Sequence, residues 1–165
     1  MPRGDPRTSN CGSREAKTRL AQARHFLKTA EQTAETQGQD ATTPSVVAAL
    51  AVLAGIAASD AACCLVLGQR PRGEGPREAT ALLSRAGETG PAMARNLARL
   101  LEVKDEAQYG VTNLTAQKAG SALRQAQSLV QAAASLVYRP ARCHRALRWF
   151  GSQNPVGHRP GRFLR

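Results

Sequence analysis

The sequence predicts an all-α protein, an up-and-down bundle of four to five helices with disordered basic termini. A nearly unbroken apolar stretch from Pro44 to Gly68 has the composition of a central helix surrounded by other helices. Elsewhere apolar residues recur at helical spacing, and no convincing strand-like alternation is present. We expect an N-terminal extension without fixed structure (1–12), a helical bundle (13–138) and a basic C-terminal tail (139–165).

The central helix has clear start and stop signals. Thr43 and Pro44 are suited to the first helical positions, and Gly68 is suited to the residue after the last turn. Asp60 lies well inside the apolar span, and a carboxylate at that depth disfavours insertion into a membrane. We therefore predict a helix buried in protein. Asp60 then either forms a salt bridge to a neighbouring helix or faces a cleft between helices.

The other helices follow from apolar spacing and from breaks. The first runs from Ser13 to about Gln37 and carries a narrow 4-3-4-3-4 stripe: Ala16, Leu20, Ala23, Leu27, Ala30 and Ala34. Beyond a loop rich in glycine and proline, one short helix opens at Pro76 and a second follows the break at 87–91. We expect a further break over 103–112 and a long last helix over 112–138.

The formal net charge of +11 is concentrated in the tail, because residues 139–165 hold seven arginines and no acid. Arginines interleaved with aromatic rings can bind single-stranded nucleic acid by charge and stacking. The tail is therefore a candidate arm for RNA or DNA, and a merely solvated extension is the alternative. Its candidate contact residues are Arg139, Arg142, Arg145, Arg148 and Trp149.

The four cysteines do not have the spacing of a disulfide framework or a zinc site. Cys63 and Cys64 are adjacent within the apolar helix and are expected to be small buried hydrophobic residues. The first residues contain no apolar segment typical of a signal peptide. We therefore expect reduced thiols, a cytoplasmic location, and neither a metal nor a cofactor.

The order of these features resembles the HEPN superfamily over about residues 14–138. The matching features are the long first helix, the segment GIAASDAACCLVLGQR (55–70), the Arg77-Glu78-Ala79 loop, and LARLLEVKDEAQYG (97–110) before a long final helix. The resemblance implies a compact helical bundle that commonly dimerises. The functions that it implies include metal-independent RNA cleavage, toxin–antitoxin systems, and non-catalytic association with nucleotides or nucleic acids.

Catalytic members of that superfamily have an arginine followed, after four to six residues, by a histidine. Arg95-Asn96 fits the start of this motif, but the histidine positions hold Leu100, Leu101 and Glu102. Without an imidazole there, no obvious group exchanges protons near neutral pH. The sequence therefore favours a non-catalytic protein.

The best candidate polar cleft combines Asp60 with Arg95 and Asn96, on the assumption that their two helices dock. Lys104, Asp105 and Tyr109 form a second polar group that a hydrogen-bond network at a helix end explains equally well. The resulting hypothesis is a HEPN-like domain that associates with nucleic acid, a nucleotide or a protein partner. The alternatives are a ribonuclease toxin with an antitoxin-like partner, or a structural bundle that forms a homodimer.

Overall fold

The fold is all-α, as the sequence predicts. The structure, a computed structural model, describes residues 8–36, 42–72, 75–109 and 114–138. These form five helices and a two-stranded antiparallel ribbon: β1 (Thr8–Asn10), α1 (Ser13–Glu35), α2 (Thr43–Leu67), β2 (Gln69–Pro71), α3 (Pro76–Ser84), α4 (Gly90–Tyr109) and α5 (Ala116–Tyr138). The predicted tail lies outside the described residues.

Helix α2 is the centre of the bundle and packs against α1, α4 and α5. It has the length and composition of a membrane span, yet 67% of its most apolar window is buried inside the protein. That burial is typical of the core helix of a soluble bundle. The helix ends where predicted, because Gly68 adopts the left-handed conformation (φ 70°) that lets the chain turn away into β2.

The helix directions follow from two hydrogen bonds and from the close approach of Leu129 on α5 to Gly55 in the middle of α2. Arg19, near the start of α1, bonds to Asp60 near the end of α2, so these helices are antiparallel. The backbone N–H of Leu114, just before α5, donates to Ser45 Oγ at the start of α2, at 3.1 Å. Because α5 also approaches the middle of α2, α2 and α5 run in the same direction.

Helix α2 approaches α4 and α5 closely at Gly55. A Cβ atom there would overlap Leu100 Cδ1 and would lie 3.3 Å from Leu129 Cδ1. Glycine thus allows the backbone of α2 to approach α4 and α5 closely. The small residues that dominate α2 serve the same purpose along its length.

The predicted break over 103–112 is wrong for its first part, because α4 continues to Tyr109. The segment 103–109 is polar but contains lysine, glutamate, alanine and glutamine, all of which favour helices. Val103 and Ala107 also pack against the core. Polarity was therefore a poor guide to where this helix ends.

The expectation that residues 1–12 lack structure is wrong from Thr8 onward. Strand β1 pairs with β2, with Ser9 opposite Arg70. The Cys11 N–H then donates to the Gly68 carbonyl oxygen at 2.9 Å. The left-handed turn at Gly68 leads the chain into β2, and β2 provides the backbone edge with which β1 pairs.

The prediction of reduced cysteines is also wrong, because Cys11 and Cys64 form a disulfide with a Cα–Cα distance of 5.2 Å. This bond fastens the N-terminal segment to the last turns of α2. Disulfides persist mainly in oxidising compartments, so the cysteines no longer support a cytoplasmic location. Cys63 remains a buried free thiol, as predicted.

Candidate nucleic-acid interface

Asp60 forms a salt bridge between helices, which confirms the first of the two interpretations of this residue. Arg19 donates to Asp60 Oδ2 from Nε at 3.0 Å and from Nη2 at 2.6 Å. Arg70 of β2 places Nη1 3.7 Å from the same oxygen. Arg19 also donates to Gln22 Oε1 at 2.7 Å, which fixes the guanidinium on α1. One carboxylate therefore joins α1, α2 and β2.

Burial dominates the electrostatics of this cluster. The Asp60 side chain is 9% exposed, against 27% for Arg19. Loss of hydration raises the pKa of Asp60 above its ordinary value, and the charges of Arg19 and Arg70 oppose that rise only in part. Because the arginines already occupy the carboxylate oxygen, the cluster is suited to holding elements together rather than to binding a ligand.

The structure does not bring Arg95 and Asn96 to Asp60. Arg95 is exposed on α4, on the side opposite the inward-facing Met93 and Leu97. Asn96 Nδ2 instead donates to Ser128 Oγ on α5, at 3.1 Å. The ionic partners of Asp60 lie on α1 and β2, so these contacts do not form the proposed cleft.

The remaining predicted positions lie at the edges of the described part. Lys104 is half-buried on α4. Asp105 and Tyr109 belong to the same helix, but their side chains fall outside the described residues. The tail positions Arg139, Arg142, Arg145, Arg148 and Trp149 follow Tyr138 and also lie outside them.

A basic surface that the sequence analysis missed lies on α1. We call Arg14, Lys17, Arg24, His25 and Lys28 the basic stripe. Their spacing places them within a sector of about 100° on the helix, and all five are exposed. The core residues of α1 occupy a different side. The signal was available in the sequence as basic residues recurring at helical intervals.

The basic stripe is nearly free of opposing charge. Between Arg14 and Lys28 the only acid is Glu15, and its Oε2 accepts from the Gly12 N–H at 2.9 Å on another side of the helix. The next acid, Glu31, accepts from Gln127 Nε2 of α5 at 2.8 Å. The stripe is therefore a positive surface over the first two-thirds of α1.

Tyr138 connects this stripe to the end of α5. The Arg24 guanidinium carbon lies 5.0 Å from the centre of the Tyr138 ring, within the range of a cation–π contact. Arg24 Nη1 also donates to the Tyr138 hydroxyl oxygen at 3.4 Å. Tyr138 is 60% exposed and immediately precedes the arginine-rich segment 139–165. The chain therefore leaves the described bundle beside the basic stripe.

No protein-family model, curated protein or solved structure matches this chain. The resemblance to the HEPN superfamily therefore stays a prediction. In the described part of the chain, no group of three or more histidine, cysteine or acidic side chains is placed to hold a metal ion.

Proposed function

We propose that this protein associates with nucleic acid without cleaving it, through the basic stripe and the arginine-rich segment 139–165. The observation that carries the proposal is the contact of Arg24 with Tyr138, which joins the start of that segment to the stripe. The proposal is that these two basic regions, far apart in the sequence, bind the same polyanion. Such a surface suits the phosphate backbone, which supplies most of the sequence-independent affinity for nucleic acids.

The neighbouring surface favours the same ligand. Helix α5 packs beside α1 and carries no acidic residue along its length. Its exposed side chains include Arg124, Gln127 and Ser128, while Lys118 is paired with Glu106 of α4 at 2.9 Å. Lysine and arginine neutralise phosphates, and amide and hydroxyl groups bond to phosphate and sugar oxygens. A polyanion lying along α1 would thus meet attractive or neutral groups on α5.

A non-catalytic role agrees with the positions where the cleaving members of the resembled family have histidine. Leu100 is fully buried in the core, and Leu101 is half-buried. The one histidine of the described residues, His25, lies on α1 in the basic stripe, whereas Arg95 is on α4. A protein partner, an antitoxin and a homodimer remain alternatives that no contact in the described residues favours.

The test is a salt titration of binding to labelled single-stranded RNA and to duplex DNA. It compares the wild-type chain with two full-length variants. One replaces Arg14, Lys17 and Lys28 by Gln, and the other replaces Arg139, Arg142, Arg145 and Arg148 by Gln. A matched control replaces Arg77 of α3, Arg85 directly after α3 and Arg99 of α4, all exposed, so that the lost charge equals that of the stripe variant.

The stripe variant should lower the slope of log affinity against log salt by about 2 for single strands, at roughly 0.7 per lost phosphate contact. The tail variant should also bind more weakly, and the control should retain the wild-type slope. The RNA should be recovered intact. Equal losses in the stripe and control variants would reject the proposed surface. Cleavage that disappears in Arg95→Ala would favour the ribonuclease instead.

A further inference from the structure

We propose that Tyr138 is a stacking site for an unpaired base, so that the preferred ligand is single-stranded nucleic acid. This inference rests on the proposed function and adds the ligand class. The structure describes two aromatic side chains in full, and they differ sharply. Phe26 packs against the core, whereas Tyr138 is 60% exposed.

The exposed ring is held in place rather than left free. Tyr138 is the last residue of α5, and the preceding Leu136 and Val137 pack against the core. Arg24 lies over the ring and also donates to its hydroxyl oxygen. Because the backbone before Tyr138 is packed and the ring itself contacts Arg24, little conformational entropy is lost when a ligand binds the ring.

The exposure of the ring leaves room for a base. The guanidinium of Arg24 covers one face, so with 60% of the residue exposed, another part of the ring is open to solvent. An aromatic ring stacks on any base because every base has a π-face, and a nearby arginine adds a cation–π contribution. The site therefore selects for an unpaired base, with little preference for its identity.

The phosphates of the same strand would lie on the basic stripe. Arg24 belongs both to the stripe and to the ring contact, while Lys28 is one turn further along α1. A single strand can turn a base onto Tyr138 while its backbone follows the stripe. The bases of an intact duplex are stacked on one another and present no free face, so duplex DNA can use only the phosphate contacts.

The test uses the full-length protein with three probes of equal length: an oligouridine, a strand of the same backbone lacking bases, and a duplex. The variants are Tyr138→Ala and Tyr138→Phe, and thermal melting of each verifies that it is as stably folded as wild type. Tyr138→Ala should weaken oligouridine binding roughly 5- to 100-fold. Tyr138→Phe should stay close to wild type, and Tyr138→Ala should weaken binding of the base-free strand and of the duplex much less than binding of oligouridine.

Three results separate failure of this inference from failure of the proposed function. If Tyr138→Ala weakens the base-free strand as much as oligouridine, the ring only positions Arg24, and stacking is refuted although binding stands. If Tyr138→Ala leaves oligouridine affinity unchanged, stacking is likewise refuted. If the wild-type protein binds no probe at low salt, the proposed function itself fails.

Discussion

Removing the Cys11–Cys64 disulfide should destabilise the protein strongly. The bond joins residues 53 apart in the sequence and so closes a loop that contains α1 and most of α2. In the chain-entropy description, a crosslink across a loop of that size contributes about 4 kcal/mol at 25 °C. For a chain of this length the corresponding fall in the melting temperature is about 8 to 16 °C.

The assay is urea unfolding and thermal melting of the wild-type protein with and without a thiol reductant. Cys11→Ser should reproduce the stability of the reduced wild type and should not respond to reductant. Cys63→Ala is the matched control. This variant removes the adjacent buried thiol and should lower the free energy of unfolding only by the small amount expected for a lost sulfur atom. Its stability should still fall on addition of reductant as much as that of wild type.

The control also tests which cysteine pairs with Cys11. Cys63 and Cys64 are neighbours, so proteolytic mapping cannot separate them, whereas single variants can. If Cys63→Ala abolished the response to reductant and Cys64→Ala did not, the pairing described here would be refuted. An unchanged urea midpoint in reduced wild type would refute the estimated contribution to stability.

Three further predictions concern packing and ionisation. Gly55→Ala should lower the free energy of unfolding, measured in urea, by about 0 to 2 kcal/mol. Overpacking against Leu100 costs about 1–3 kcal/mol, and the better helix propensity of alanine returns about 1 kcal/mol. Gly120→Ala is the control and should stabilise the fold slightly, because its new Cβ atom makes only an ordinary contact at 3.6 Å. Equal effects of the two substitutions would contradict the close approach. The stability difference between wild type and Asp60→Asn should depend on pH. The folded protein holds the Asp60 proton more tightly than the unfolded chain, so wild type should gain stability relative to the variant as pH falls through the raised pKa of Asp60. A stability difference that is the same at every pH would exclude that rise in pKa. Burial and the charge of Asp60 raise the pKa of Cys63 to about 12, so iodoacetamide should label it at neutral pH only after unfolding, as intact-mass measurement would show.

The parts of the fold that local sequence determines were predicted well. The predicted ends of helix α2 agree closely with the structure, because an apolar surface on all sides and a glycine after the last turn are local properties of the sequence. The end of α4 was missed for the opposite reason. Its last turns are polar and were mistaken for a loop, although their residues favour a helix and two of them pack on the core.

Contacts between distant residues could not be derived in the same way. The sequence indicated that Asp60 needs a partner, but selecting Arg19 requires the antiparallel register of α1 against α2. The disulfide likewise depends on the turn at Gly68, which brings β2 alongside β1 and Cys11 towards Cys64. Neither relation is visible in the spacing of the residues involved.

The shared direction of α2 and α5 has a practical consequence for handling the protein. The chain enters the described bundle at β1, beside the end of α2, and leaves it at Tyr138, the end of the parallel helix α5. Both attachment points therefore lie towards the same pole, next to the basic stripe. A fusion partner joined directly to Thr8 or Tyr138 would crowd that pole, whereas a dye or linker attached at Gln117, which is exposed near the start of α5, would leave it open.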